Sequence, residues 1–451
     1  MTGENLMAVA GLSNKLADFT VSLTLDSIPS KAKENAKIAI LDCLGVGVLA
    51  ASQEIGEVLA RFMRKNGAAG SCTIWGMRLT TNVRDAGFVN GALAHGLDYD
   101  DRNHASTYTL AASTALAESL DVSGAKLLEA FIAGREVRAA LDALFSKRSS
   151  GVGPGARGWH SNGILGPIAS ACSVGKILEL DSQQMVAAIG LAAGSCGALT
   201  RDGGAMAKPF RVGQAATTGI NCALLAQEGF TADETPLEGR YGLLEALGPL
   251  PDEVVNVLGQ NVGREYELER DIRIKPYASC TATHAGLEAM LRLMQTHKIL
   301  PNDINAIECD LKPYPLVRQH PKRGFEGRFS MPFCLAVALV HGEIRPNDFT
   351  NERLHEPHVQ ELIGRTRHVP DSPVLIVRLK NGTDLTEEIK PITDLHGWTQ
   401  TYEKFNASTV TALSAEQREA IAESVRSLEK LSSVRTLTSR LRKNSSHGSD
   451  R

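Results

Sequence analysis

Chemically active side chains crowd one short stretch of the chain, residues 91–113. Within eleven positions of this stretch stand Asp98, Asp100, Asp101, Arg102, His104 and Tyr108. Apolar segments with helical spacing flank the stretch, so these groups lie where two buried elements meet. Burying titratable groups of both signs costs free energy unless they pair or take part in catalysis. We therefore predict that the stretch forms one wall of an active site.

The three aspartates and His104 also offer oxygen and nitrogen donors of the kind that bind divalent cations. Their spacing does not follow the calcium-loop pattern, and the sequence has no second carboxylate cluster. A structural alternative is that the aspartates cap helix ends or pair with Arg102. We predict no metal site and assign one carboxylate to an acid–base or orienting network.

His160 follows a glycine-rich loop, residues 149–158, and precedes an apolar helix. An imidazole at such a place can face a cleft and titrate near neutral pH. A lone histidine is more often structural, and both interpretations stay open.

Lys208 ends a second glycine-rich loop, residues 194–207, and stands before Pro209 and a helix predicted at 211–228. Burial among small and apolar residues would lower the pKa of this lysine toward that of a general base. Beside an anion it would instead bind charge. A solvated surface position is the remaining alternative.

Lys275 lies at the end of a strand predicted at residues 271–275, and Ser279 and Thr281 are placed to cap the helix that follows. The N-terminus of that helix would favour a bound carboxylate. Cys280 has no His or Asn partner at a recognised spacing, so we do not expect a thiol nucleophile. The glycine-rich loops match no phosphate-binding pattern, and nucleotide binding is not predicted.

The elements that must position these residues are mainly helical. Apolar spacing predicts helices through the first part of the chain, whereas strand patterns begin near residue 265. Asn381-Gly382 joins two strand-like runs and is a strong hairpin signal. We predict a mainly α fold: a helical domain at 1–264, completed by a C-terminal helix within 400–444, an α+β lid domain with an antiparallel sheet at 265–399, and a disordered tail at 445–451.

The composition excludes several classes of function. The 451 residues carry a formal net charge of -3, which gives no reason to expect nucleic acid or a membrane surface as a partner. The eight cysteines are scattered, without a CxxC pair or metal-ligand spacing. No apolar run approaches the roughly 20 residues that span a bilayer, and no signal-peptide pattern is visible. We expect a reduced, cytoplasmic protein.

Taken together, these motifs resemble the MmgE/PrpD family, which includes 2-methylcitrate dehydratase, cis-aconitate decarboxylase and iminodisuccinate epimerase. The segments that carry the resemblance occur in the family's order and are residues 90–101, 158–160, 208–210 and 275–280. The resemblance implies a large helical domain, a smaller α+β lid, a cleft between them and a homodimer. It also implies metal- and nucleotide-free chemistry on small polycarboxylates. The positions that match cleft residues of the family are Asp98, His160, Lys208 and Lys275.

Two positions depart from the pattern of the family's dehydratases and decarboxylases. Where those members continue the acidic motif with Thr, this chain has Arg102, and Tyr108 replaces the first residue of their His-Pro-Ser. Tyr108 keeps a hydroxyl that can exchange a proton, with an unperturbed pKa of about 10. Arg102 and Arg201 add fixed positive charge that can bind carboxylates in bidentate fashion. The pattern is most similar to the iminodisuccinate epimerase branch.

We therefore expect a cofactor-independent epimerase that removes and returns a proton at the carbon α to a carboxylate of a polycarboxylate such as iminodisuccinate. The predicted catalytic residues are Asp98, Tyr108, His160, Lys208 and Lys275. The predicted substrate-binding residues are Arg102, His104, Arg201 and Cys280. The alternatives are a hydro-lyase or decarboxylase of the 2-methylcitrate or cis-aconitate type, and a non-catalytic polycarboxylate-binding protein.

Overall fold

The computed structural model describes residues 11–145, 153–251, 254, 257–270, 272–311 and 319–443. Most of this part of the chain is helical, which confirms the predicted mainly α fold class. The tail predicted at residues 445–451 lies outside the described residues, and the loop predicted at 149–158 is described only from residue 153.

Helices packed on one another form the first part of the chain. Their bounds are α1 (Leu12–Ser22), α2 (Ser30–Ala51), α3 (Glu54–Asn66), α4 (Val83–His95), α5 (Ala105–Leu120), α6 (Gly124–Ala140), α7 (Ser161–Ile177), α8 (Ser182–Gly194), α9 (Ala207–Gln227) and α10 (Leu243–Ala246). A short antiparallel ribbon pairs β1 (Cys72–Thr73) with β2 (Thr80–Thr81). Helix α9 lies against α4, α5 and α7, so the beginning of α9 is close to the segment that links α4 to α5.

Strands and further helices follow. They are α11 (Thr281–Thr296), β3 (Ile304–Cys309), α12 (Met331–His341), α13 (Asn351–Leu354), α14 (Pro357–Arg365), β4 (Thr366–His368), β5 (Val374–Leu379), β6 (Asp384–Glu388), α15 (Gly397–Thr409), α16 (Ala415–Arg426) and α17 (Arg435–Thr438). The strands form one sheet in the order β4-β3-β5-β6, in which β3–β5 and β5–β6 are antiparallel and β3–β4 is parallel. The hairpin predicted at Asn381-Gly382 is confirmed, since it joins β5 to β6 with Gly382 at φ 88°.

The C-terminal segment is not the single helix predicted within residues 400–444. It forms α15, α16, α17 and short 3-10 turns, because some backbone groups beyond α16 bond to the helical region and interrupt the helical hydrogen-bond pattern. The Leu431 carbonyl accepts a hydrogen bond from the Gly124 amide at 2.8 Å, and the Val434 amide donates to the Val122 carbonyl at 2.9 Å. Helices α15 and α16 pack on α2.

Within the described residues, no single helix has both the length and the apolar character needed to cross a membrane. The helices Ser30–Ala51 and Glu54–Asn66, bent by 76° relative to each other, meet those criteria only when taken as a pair.

Candidate active site

Asp98 is the centre of a buried cluster of charges. Its Oδ1 atom accepts hydrogen bonds from Lys208 Nζ at 2.8 Å and from Lys275 Nζ at 2.9 Å. Its Oδ2 atom is buried and has no hydrogen-bond partner among the described residues. Burial alone would raise the pKa of Asp98, but the two ammonium groups outweigh it and hold that pKa well below its ordinary value. Asp98 is therefore ionised at neutral pH.

Lys208 reaches Asp98 from the first turn of α9. This helix begins at Ala207, before the start predicted at residue 211, so Lys208 belongs to a rigid element instead of a loop. The side chain is buried, and Nζ lies 5.1 Å from the centre of the Phe329 ring. The ammonium group is thus enclosed between a carboxylate and an aromatic face.

Lys275 comes from an irregular segment, and the strand predicted at residues 271–275 is not formed in the part of it that is described. Ile274 makes only single backbone bridges, one to Asp101 and one to Leu395. These bridges hold the fully buried Lys275 against the acidic stretch. Burial lowers the pKa of a lysine, but the charges of two nearby aspartates outweigh it and raise the pKa of Lys275 above its ordinary value.

Asp100 joins two histidines beside this cluster. His95 Nδ1 lies 3.1 Å from Asp100 Oδ1, and His104 Nδ1 lies 2.7 Å from Asp100 Oδ2. Because a carboxylate accepts hydrogen bonds, each ring carries a proton on Nδ1 and can use Nε2 for another partner. His104 Nε2 lies 3.6 Å from Asp98 Oδ1, and the His104 side chain is 17% exposed. His104 is therefore placed to exchange a proton with a bound molecule.

Three histidines near the cluster are neutral at physiological pH. Burial, reinforced by the charge of Lys208, lowers the pKa of His95 to about 4 and that of His160 well below its ordinary value. Burial and a nearby lysine lower the pKa of His284 to about 3. His160 caps α7, and its Nδ1 accepts a hydrogen bond from the Asn162 amide at 3.3 Å. The His160 proton is therefore on Nε2, which can donate to an anion.

Arg102 and Cys280 border the cluster. Arg102 Nη1 donates to Asp394 Oδ2 at 2.9 Å, and its amide donates to the Arg273 carbonyl at 3.0 Å. The amide of Cys280, at the start of α11, donates to the Arg328 carbonyl at 2.7 Å. Burial, together with a nearby aspartate, raises the pKa of the Cys280 thiol, so it is protonated at neutral pH. Arg102 therefore links two segments of the chain, and the Cys280 thiol is not a ready nucleophile.

Two predicted site residues lie elsewhere. Tyr108 is fully buried in the helical core, where its hydroxyl accepts a hydrogen bond from Arg138 Nε at 3.2 Å. Burial raises the pKa of Tyr108 to about 12. Arg201 is exposed on the 3-10 turn Thr200–Asp202. Within the described residues no hydrogen bond joins either side chain to Asp98.

Buried titratable side chains that the sequence patterns did not single out surround the cluster, and they include Asp42, Arg135, Arg211, His284, Arg328 and Lys404. Arg135 Nη1 donates to Asp101 Oδ2 at 2.8 Å, and Lys404 Nζ lies 2.7 Å from Asp42 Oδ1. One signal in the sequence marks Asp42, because it interrupts an apolar run. The arginines and Lys404 lie in segments whose sequence pattern is typical of a helix with one solvent-exposed face, so their burial is not visible in the sequence.

Four side chains of the cluster also have the spacing of a metal site. His95, Asp98, Asp100 and His104 each place one donor atom within 4.8 Å of the others. Two ammonium groups already lie against Asp98 Oδ1, so a divalent cation would have to displace them. The arrangement therefore favours a network in which lysines supply the positive charge. The fold and the site define a mainly helical protein with a buried cluster of lysines, aspartates and histidines.

Comparison with known proteins places this class in a family. The sequence profile of the MmgE/PrpD N-terminal domain matches residues 14–253, and that of the MmgE/PrpD C-terminal domain matches residues 277–430. The chain therefore belongs to the MmgE/PrpD family. It is 27% identical to human cis-aconitate decarboxylase over 97% of this chain and 95% of that protein. It is also 26% identical to the mouse cis-aconitate decarboxylase, over 96% of this chain and 93% of that protein, and 27% identical to the one from Aspergillus terreus, over 79% and 77%.

These relatives overturn the predicted epimerase. Their names favour the decarboxylase or lyase alternative, so the isomerase part of the prediction is wrong, whereas the expectation of an enzyme agrees with them. The epimerase prediction depended on Arg102, Arg201 and Tyr108. In the structure Arg102 pairs with Asp394, Arg201 is exposed, and Tyr108 contacts Arg138. Among the described residues, no hydrogen bond or ion pair joins the side chain of Arg102, Arg201 or Tyr108 to Asp98.

Proposed function

We propose that this chain is a lyase that decarboxylates a small tricarboxylate such as cis-aconitate. The observation that carries the proposal is the convergence of Lys208 and Lys275 on one buried oxygen of Asp98. Two ammonium groups on a single carboxylate leave a net positive charge, which attracts a carboxylate of the substrate. The names of the relatives supply the substrate class.

Decarboxylation breaks the bond between a carboxylate carbon and its neighbour. The electron pair of that bond stays on the neighbouring carbon as CO2 leaves, and one proton must then be added there. Lys208 and Lys275 stabilise the negative charge that develops, because fixed cations in a site without bulk water act strongly. His104 is the group placed to deliver the proton, because its Nδ1–H stays hydrogen-bonded to Asp100 while Nε2, 3.6 Å from Asp98, takes up a proton from solvent and passes it on.

His160 has a different part in this proposal. It is neutral and buried, and its Nδ1 atom already accepts a hydrogen bond from the backbone. The Nε2–H group can therefore donate to a substrate carboxylate without adding a full charge. Such a neutral donor orients the substrate, while the lysines carry the charge.

Turnover of cis-aconitate by lysine variants tests this proposal. We expect the wild-type protein to consume cis-aconitate with loss of CO2, as followed by proton NMR. Lys208→Met should lower kcat/KM by about 100-fold or more, because it removes a cation from the developing charge. The matched control is Lys298→Met, which changes an exposed lysine and should stay within about twofold of the wild type. An unchanged Lys208→Met variant, or no loss of CO2, would contradict the proposal.

A further inference from the structure

Arg211 is a buried cation whose donor groups are not all paired. It lies in α9 three residues after Lys208, and its side chain is 5% exposed. The Nε and Nη1 atoms have no hydrogen-bond partner among the described residues. A buried guanidinium with unpaired donors is costly, so its position suggests a partner that comes from outside the chain.

Asp202 forms an ion pair with Arg211 without completing its hydrogen bonding. Arg211 Nη2 lies 2.9 Å from Asp202 Oδ2, whereas Nε and Nη1 have no acceptor among the described residues. The Asp202 side chain is 44% exposed and stands in the 3-10 turn Thr200–Asp202. Because water can replace Arg211 as a partner of this exposed carboxylate, another anion can displace Asp202 at low cost.

Arg211 adjoins the cluster around Asp98. After burial, the charges of Lys208 and Arg211 both lower the pKa of His160, so both cations act on that imidazole. Residues three apart on a helix share a face, with Cβ atoms about 5–6 Å apart. In a tricarboxylate, two neighbouring carboxyl carbons are joined through two other carbons by three bonds of about 1.5 Å each. Such a molecule is therefore long enough for one carboxylate to reach Lys208 while another reaches Arg211.

We propose that Arg211 binds a second carboxylate of the substrate on the His160 side of the site, and that Asp202 competes with this carboxylate for the guanidinium. The inference rests on the proposed function, because it takes a tricarboxylate as the substrate. A guanidinium suits this part, since it is always charged and binds a carboxylate through two parallel hydrogen bonds. Arg211 thereby selects tricarboxylates over dicarboxylates.

Binding of unreactive analogues, measured by isothermal titration calorimetry, separates this inference from turnover. Propane-1,2,3-tricarboxylate carries all three carboxylates, whereas glutarate lacks the central one and methylsuccinate lacks a terminal one. We expect Arg211→Gln to weaken binding of the tricarboxylate by about 10- to 100-fold, the loss for a hydrogen bond to a charged group. One of the two dicarboxylates lacks the carboxylate that Arg211 binds, and the Arg211→Gln substitution should change the affinity for that dicarboxylate by less than about twofold.

Two further variants test the competition by Asp202 and the effect of removing an unrelated positive charge. Asp202→Asn removes the competing anion and should strengthen binding of the tricarboxylate. Arg61→Gln removes an exposed arginine charge from α3 and should leave all three affinities unchanged. Equal weakening of all three analogues by Arg211→Gln would indicate a general effect of charge and would overturn the inference, as would unchanged binding of the tricarboxylate.

Circular dichroism checks that each variant is folded. Should Arg211→Gln fail to fold, Arg211→Lys keeps the charge but loses the two-pronged donor, so it should still lose discrimination between tricarboxylate and dicarboxylate. Unchanged discrimination in Arg211→Lys would then overturn the inference. A wild-type protein that shows the expected binding but releases no CO2 from cis-aconitate would refute the proposed function, while the role of Arg211 in binding would stand.

Discussion

Single residues decide where positive charge lies in this site. Asp98 takes both ammonium groups on Oδ1, which leaves Oδ2 without a partner among the described residues. Lys208 and Lys275 therefore face the same side of one carboxylate. Removing one partner of a buried ion pair typically lowers the free energy of unfolding by about 3–5 kcal/mol. The cluster therefore depends on the pairing of Asp98 with both lysines.

Replacing Tyr108 tests whether this buried residue has a structural role and takes no part in catalysis. Because the Tyr108 hydroxyl accepts from Arg138 Nε, Tyr108→Phe leaves a buried donor unpaired and should lower the free energy of unfolding by about 1–3 kcal/mol. The kcat/KM for cis-aconitate should stay within about twofold of the wild type. Urea unfolding and steady-state kinetics measure the two effects. A folded variant with little remaining activity would instead place Tyr108 in the proton-transfer machinery.

Burial of the histidines makes the free energy of unfolding depend on pH. Burial lowers the pKa of His284 from 6.5 to about 3, so the folded state binds fewer protons than the unfolded state within that window. The contribution to stability is present above pH 6.5 and is lost as the pH falls toward 3. We expect thermal unfolding midpoints of His284→Asn to fall less steeply than those of the wild type between these pH values. If the midpoints of the wild type and of His284→Asn fell equally steeply with pH, the lowered pKa of His284 would be contradicted.

At the level of elements, α9 carries both Lys208 and Arg211, and its distance from α4 is set by small residues. A Cβ atom on Gly213 would lie 2.3 Å from the Phe88 carbonyl oxygen, closer than any real contact. The two helices can approach this closely only with glycine at that position. Their approach is what brings Lys208 to the segment that follows α4.

Gly213→Ala should therefore push α9 away from α4. We expect a loss of about 1–3 kcal/mol in the free energy of unfolding, together with lower kcat/KM because Lys208 moves relative to Asp98. The control is Gly364→Ala on the exposed face of α14, where a Cβ atom would meet open space and alanine should stabilise by up to about 1 kcal/mol. Differential scanning calorimetry gives the stabilities. If the two variants behave alike, close packing does not position α9.

Sequence patterns predicted which charged residues meet better than they predicted the ends of the elements. Asp98 and Lys275 stand out because charge in an apolar setting is visible in the sequence, and the structure joins them. Arg211 escaped notice because the buried face of a helix depends on its neighbours. The long helix within 400–444 was wrong because tertiary backbone bonds ended it, such as that from Gly124 to the Leu431 carbonyl. The division into domains stays a prediction.

At the scale of the whole molecule, distant parts of the chain meet around the acidic stretch. Lys404 in α15 donates to the Tyr99 carbonyl at 2.5 Å and lies over the Tyr99 ring, 3.7 Å from its centre. The ammonium group of Lys404 also pairs with Asp42 in α2. The C-terminal helices therefore brace the segment that carries Asp98.

We propose that the protein is a homodimer, as the resemblance to its family implies. Leu199 and Phe210, next to the loops that border the site, are 55% and 52% exposed, which suits an apolar contact with a second copy. Sedimentation equilibrium should give twice the 48.3 kDa mass of the chain. A single-chain mass at micromolar concentration would contradict the proposal.

The central claim is that the lysine pair on Asp98 serves a decarboxylation, and the fate of labelled substrate tests it most directly. Uniformly 13C-labelled cis-aconitate is incubated with the protein in D2O and followed by NMR. We predict one labelled CO2 for each tricarboxylate consumed, and a dicarboxylate with one deuterium on the carbon that receives the proton. Consumption without labelled CO2, or no consumption at all, would contradict the claim.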